Sequence, residues 1–150
     1  ASFGSANEAK AYLSNNDVAV FKHLIAQTTA NSYMLVMSHI QIPAIDNENL
    51  ASSSKAIIDG WLRKELGYKG IVMTDRIDVG ALQSNQKIGD YAVTSILAGS
   101  DLILVDADTL HIDEVHRALT QAVANGTISN ERLNESVKRI LLMKMQTQIQ

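Results

Sequence analysis

Gly70-Ile71-Val72-Met73-Thr74-Asp75 is a short apolar run with a carboxylate at its end. It shows no in/out alternation, which is the pattern of a strand covered on both faces in a parallel sheet. Just upstream, Ser53 is placed to accept an orphan N–H as N-cap of a helix. Ile57, Ile58, Trp61, Leu62 and Leu66 make its apolar stripe, and Gly67 permits a left-handed C-cap. Strand and helix together form one βα unit.

The same pattern repeats on both sides. Tyr33 to Met37 is a second unalternating run, followed by His39, and Asp101 to Val105 is a third. Met34, Met37 and Met73 fall within these strands and read as core. A helix from Ser5 to Gln27, broken near Asn15-Asn16, precedes the first strand. A polar loop containing Pro43 follows it, and a long polar loop runs from Arg76 to Gly89. After a helix over Asp90 to Ala98 and the third strand come two more helices. Ile112, Val115, Leu119 and Val123 line the first, which stops at Gly126. Leu133, Val137, Ile140, Leu141 and Met145 line the second, capped by Ser129 or Asn130. Strands starting near positions 33, 70 and 101, joined by helices, predict parallel βα units and an α/β fold.

The chain has 150 residues, 46% hydrophobic and 19% charged, with no low-complexity linker, so residues 1–150 read as one domain. That is well short of the roughly 250 residues of a complete eight-stranded α/β barrel. Three strands leave two unpaired edges, so weak strands lie elsewhere or the sheet is part of something larger. A net charge of -3 without a basic run argues against nucleic acid. No apolar run is long enough to span a bilayer, and Ala1-Ser2-Phe3-Gly4 lacks the pattern of a leader. An initial Ala in place of Met fits a processed product or a piece of a longer chain, and the compartment stays open between cytoplasm and export. Zero cysteines exclude disulfides and thiolate zinc sites.

Sites in α/β folds gather at the carboxyl ends of parallel strands. His39, Asp75, and Asp106 with Asp108 stand there. Asp75 at a buried strand's end suits a nucleophile, a base or a ligand, and equally an Asx-turn or helix cap. Asp78 reads as solvated. His39 suits orientation of a substrate hydroxyl or a hydrogen-bonded wall. His23, His111 and His116 read as surface residues. No His-Glu-x-x-His, phosphate loop or Gly-x-Ser-x-Gly elbow occurs, so neither a metal nor a nucleotide cofactor is expected, and Ser52-Ser53-Ser54 reads as helix capping.

Several ordered segments carry a resemblance. Met34 to Asp46 reads MLVMSHIQIPAID and Trp61 to Asp75 reads WLRKELGYKGIVMTD. Ala98 to Val105 reads AGSDLILV, and Gly126 to Ser129 continues into Arg132-Leu133-Asn134-Glu135-Ser136-Val137-Lys138-Arg139-Ile140-Leu141. From about Asp17 to Lys144 the chain resembles the catalytic barrel of glycoside hydrolase family 3, in its β-N-acetylglucosaminidase branch. The resemblance implies the C-terminal half of a TIM-type (β/α)8 barrel. It places the family's nucleophile on Asp75, and His39 on a substrate-binding wall position. The implied reaction is retaining hydrolysis of β-linked N-acetylglucosamine, as in peptidoglycan fragments, with no cofactor.

The branch's acid/base loop, Lys-His-Phe-x-Gly-His-Gly-Asp, has no counterpart here, since Lys22-His23 runs into Leu24-Ile25. Arg76-Ile77-Asp78-Val79 also replaces a common Asp/Ala-Leu-x-Met pattern after the nucleophile. The chain is therefore expected to carry a nucleophile without its proton donor and to be inactive alone. The alternative is a non-catalytic module whose open sheet edge pairs with a complementary half-barrel or a second copy. A free-standing flavodoxin-like binder fits less well, lacking a phosphate loop and a fourth strong strand.

Overall fold

A computed structural model describes residues 5–29 and 32–147. The first four residues, read above for a leader, lie outside them. Helices α1 (Ala6–Asn15) and α2 (Ala19–Gln27) lead into β1 (Met34–Met37). A small hairpin follows, β2 (Gln41–Ile42) and β3 (Asp46–Leu50), then a short turn of 3₁₀ helix and a π-helix (Ala56–Glu65). Next come β4 (Ile71–Arg76), α3 (Ile77–Gln83), α4 (Ile88–Ala98), β5 (Leu102–Leu104), α5 (Thr109–Ala124) and α6 (Asn130–Thr147). The fold is α/β, and β1, β4 and β5 form a parallel sheet in the order β1-β4-β5. The three strands stand where the apolar runs predict them, with β4 central.

One sheet face is well covered. Leu35 and Met37 of β1 and the buried Val72 of β4 pack against Ile58 and Leu62 of the π-helix, with Tyr68 and Ala98. A second cluster joins Ile77 and Ala81 of α3 to Ile88, Tyr91 and Ala92 of α4 and Val115 of α5. The π-helix winds with bonds five residues apart, as from the Leu66 N–H to the Trp61 carbonyl at 2.9 Å, yet it still buries Ile57, Ile58, Trp61 and Leu62 of the expected stripe, with Leu66 partly buried just beyond it.

Several expectations need correction. Burial in β1 alternates, leaving Met34 and Val36 exposed at 39% and 54%, so this strand is covered on one face only and Met34 is not core. The stripe of Leu133, Val137, Leu141 and Met145 on α6 is exposed likewise. The polar loop around Pro43 holds the β2–β3 hairpin, its turn closed by the Ile45 N–H on the Ile42 carbonyl at 2.9 Å, and Asp46 Oδ1 accepts the Glu48 and Asn49 N–H groups, both at 3.0 Å. The loop after β4 opens instead with α3, whose buried residues Ile77 and Ala81 are one helical turn apart. The cap before the π-helix is Ser54, whose Oγ accepts the Ile57 N–H at 3.1 Å, while Ser53 donates to the Leu50 carbonyl.

At the sheet's base, Asp101 is a buried hub. Its Oδ2 accepts from Arg63 Nη2 at 2.7 Å and from the Val72 N–H at 3.0 Å. Its Oδ1 accepts from Ser136 Oγ at 2.6 Å and Arg139 Nη1 at 2.9 Å. Arg132 joins through Ser136 and donates to the carbonyls of Ile96 and Ser100. Burial draws the Arg63 and Arg132 pKa values down, and the Asp101 carboxylate opposes this. A paired and hydrogen-bonded carboxylate is the form in which a charge is tolerated inside a protein.

Candidate active site

The carboxyl ends of β1, β4 and β5 bring His39, Asp75 and Asp106 to one rim of the sheet. Asp75 sits at an irregularity. Met73 pairs with Leu102 but Arg76 pairs with Leu104, so three steps on β4 face two on β5. Such a bulge bends the strand and re-aims a side chain. The buried Thr74 compensates, its Oγ1 accepting the Leu104 N–H at 3.2 Å. Both Asp75 and Arg76 are exposed beyond this point. The Asp75 carboxylate accepts the Arg76 N–H through Oδ1 at 2.8 Å, which orients it against the strand end.

Beside Asp75 lies a charged chain. Arg76 donates to both oxygens of Asp78, Nε at 3.2 Å and Nη2 at 2.7 Å, and its Nη2 lies 4.0 Å from Asp106 Oδ2. Asp106 Oδ1 pairs with His111 Nδ1 at 2.9 Å. The hydrogen bond from Arg76 lowers the Asp78 pKa, and the bond to Asp106 raises that of His111. Asp78 is thus ion-paired with Arg76 and His111 hydrogen-bonded to Asp106, which their reading as solvated and surface residues did not anticipate. Asp108 caps α5 by accepting the Leu110 N–H. His23 and His116 are exposed.

His39 is half-buried, and both ring nitrogens have protein partners. Nε2 lies 2.7 Å from the Arg76 carbonyl oxygen, and Nδ1 lies 2.6 Å from Ser52 Oγ. A carbonyl only accepts, so Nε2 carries the proton. In the neutral ring Nδ1 then accepts from the Ser52 hydroxyl, which accepts in turn from Tyr91 Oη at 2.8 Å. Ser52 therefore does not cap a helix, and sequence reasoning missed it and Tyr91 alike. Their one common mark, a hydroxyl inside an otherwise apolar or small-residue neighbourhood, becomes a signal only once the fold brings them together.

A depression of about 1020 Å³ opens between α3, α4 and α5. Asp78, Lys87, His111, Glu114 and Arg117 are among its lining, but Asp75 and His39 are not. Among the described residues, no three His, Cys, Asp or Glu side chains gather as metal ligands, and no helix is long and apolar enough to cross a membrane.

A profile of the glycosyl hydrolase family 3 N terminal domain matches residues 2–143. The chain belongs to glycosyl hydrolase family 3. It is 26% identical over 149 residues to β-hexosaminidase A of Pseudoalteromonas piscicida, covering 88% of this chain and 25% of that one. It is 28% identical over 129 residues to a β-N-acetylglucosaminidase/β-glucosidase of Cellulomonas fimi, covering 79% and 22%. In structure it is similar to a family 3 β-N-acetylglucosaminidase from Paenibacillus sp. str. FPU-7, with a TM-score of 0.80, 36% identity, and coverage of 86% and 24%. The chain thus spans about a quarter of the length of these relatives. Family 3 relatives of this chain are glycoside hydrolases with N-acetylglucosaminidase and β-glucosidase activities.

Proposed function

We propose that this chain is the C-terminal part of the catalytic barrel of a retaining glycosidase that acts on β-linked N-acetylglucosamine in peptidoglycan-type glycans, with Asp75 as nucleophile. The observation that carries this is the position of Asp75: exposed, on a bulge, at the carboxyl end of the central strand, with its carboxylate oriented by the next N–H. A carboxylate oxygen there attacks the anomeric carbon while the glycosidic C–O bond breaks, its electron pair passing to the leaving oxygen. Water then attacks the same carbon and releases both the sugar and the carboxylate. The leaving oxygen needs a proton, and the loop that supplies it in the resembling branch is absent from this sequence. Loss of that donor removes a factor of roughly 10² to 10⁴. The chain alone therefore binds sugar weakly and does not turn over. Neither a nucleic acid nor a cofactor enters the reaction.

The test is a graft. Residues 17–144 replace the matching barrel segment of the Paenibacillus enzyme, and the chimera is assayed with an aryl β-N-acetylglucosaminide. Turnover is expected, lost in Asp75→Asn. With Asp75→Gly, added azide is expected to yield the α-glycosyl azide that fills a vacated nucleophile position. Activity surviving Asp75→Asn removes Asp75 from the role.

A second reading rests on the exposed Met34, Val36 and Leu104 of the sheet and the exposed α6 stripe. Through these the chain pairs with a complementary half-barrel or a second copy. Sedimentation separates the two states, and a compact monomer at high concentration counts against pairing between copies.

A further inference from the structure

His39 follows β1 and Arg76 ends β4, so their contact ties two neighbouring strands together at the reactive rim. The ring is held by both nitrogens and by its packing. Ser52 and Tyr91, the hydroxyls behind it, are both 0% exposed, and losing Ser52 takes from the buried Tyr91 hydroxyl its bond to Ser52 Oγ. The Tyr91 ring meets the imidazole edge-on with centroids 5.9 Å apart. Gly80 of α3 packs close against both rings: a methyl group there would stand 2.5 Å from the Tyr91 ring and 2.6 Å from the His39 ring.

Arg76 has a bond at each of its peptides. Its N–H donates to the Asp75 carboxylate, and its carbonyl accepts a hydrogen bond from the His39 Nε2–H. The bulge lies just before it, where the β4–β5 ladder loses register between the Met73–Leu102 and Arg76–Leu104 pairs. We propose that His39 is a positioning residue for Asp75: its Nε2–H clamps Arg76, and the Ser52–Tyr91 hydroxyl pair holds the imidazole in the tautomer that does so. With both nitrogens occupied, His39 offers no hydrogen bond to a sugar. The functional weight of this clamp rests on the proposed role of Asp75. The geometry of the clamp is testable without it.

The first measurement needs no variant. Imidazole ¹⁵N signals of the intact 150-residue chain are expected to show His39 as the Nε2–H tautomer, and an Nδ1–H tautomer overturns the proposal. The second is amide hydrogen exchange, reading Arg76, whose N–H touches Asp75, against Val72, whose N–H is bonded to buried Asp101. His39→Ala is expected to speed exchange at Arg76 by about tenfold relative to Val72, the effect of one lost hydrogen bond. His39→Gln, whose amide nitrogen reaches the Nε2 position, is expected to restore protection, and His39→Asn is not. If Arg76 and Val72 change in parallel in every variant, or Arg76 does not change, the clamp is not local to Asp75 and the proposal falls. Tyr91→Phe, which deletes one buried oxygen and keeps the ring, is expected to give a smaller effect of the same kind and stands in should His39→Ala not fold.

In the grafted barrel His39→Ala is expected to lower kcat about tenfold at nearly constant KM, the pattern of a lost transition-state contribution. A raised KM with kcat retained marks a substrate contact instead and overturns the positioning role. Exchange results as expected alongside activity that survives Asp75→Asn would keep the clamp and reject the nucleophile, so the two failures are separable.

Discussion

The carboxylate of Asp101 shows how much one side chain can organise. It stands among Arg63, Arg132 and Arg139 with no water-exposed surface of its own, so removing its charge strands the guanidinium groups around it. Asp101→Asn is expected to cost about 3–5 kcal/mol, read from urea unfolding. Asp46 behaves differently. Burial pushes its pKa up, but hydrogen bonds from Ser54, from the Glu48 and Asn49 backbone and from the Asn49 side chain outweigh this and hold it at about 2. Because the folded-state value lies below the unfolded one, its contribution to stability is complete above the unfolded pKa of 3.8 and disappears as pH falls from there through 2. Asp46→Asn should flatten that part of the acid-unfolding profile. Of these residues, the sequence exposes Asp75 and His39 by their place after apolar runs. It hides Asp101, since an aspartate at the start of a strand looks like any turn residue until the arginines are folded around it.

Among the elements, α3 is the instructive case. The polar run Gln83-Ser84-Asn85-Gln86 at its end makes the segment read as loop, and Gly80 inside it disfavours helix by about 1 kcal/mol relative to Ala. The reason for glycine is the pair of rings it faces. Gly80→Ala, a change that stabilises an exposed helix, is therefore expected to destabilise here by about 1–3 kcal/mol through overpacking, with a lowered urea midpoint. The three parallel strands are legible because each is a short unalternating apolar run bounded by polar residues. The bulge at Thr74-Asp75 is not, since nothing in Met73-Thr74-Asp75-Arg76 marks where pairing with β5 slips. Register is a property of two strands, and only one of them is in view when either is read.

For the whole molecule, the α/β class and the parallel sheet are legible from the three apolar runs and the helices between them. Which face lies bare is not, because an unalternating run hides it. Val36, 54% exposed on the uncovered face, is a direct probe. Val36→Lys is expected to change the stability of the single chain by less than about 0.5 kcal/mol while suppressing any concentration-dependent association in sedimentation. The hub at the base carries one more consequence. Arg63 and Val72 reach Asp101 from the first part of the chain, whereas Ser136 and Arg139 reach it from the last. A backbone cleavage anywhere between Asn85 and Lys87 leaves those partners on separate peptides still clasped to one carboxylate, so nicked protein should migrate as one species until denaturant parts the fragments.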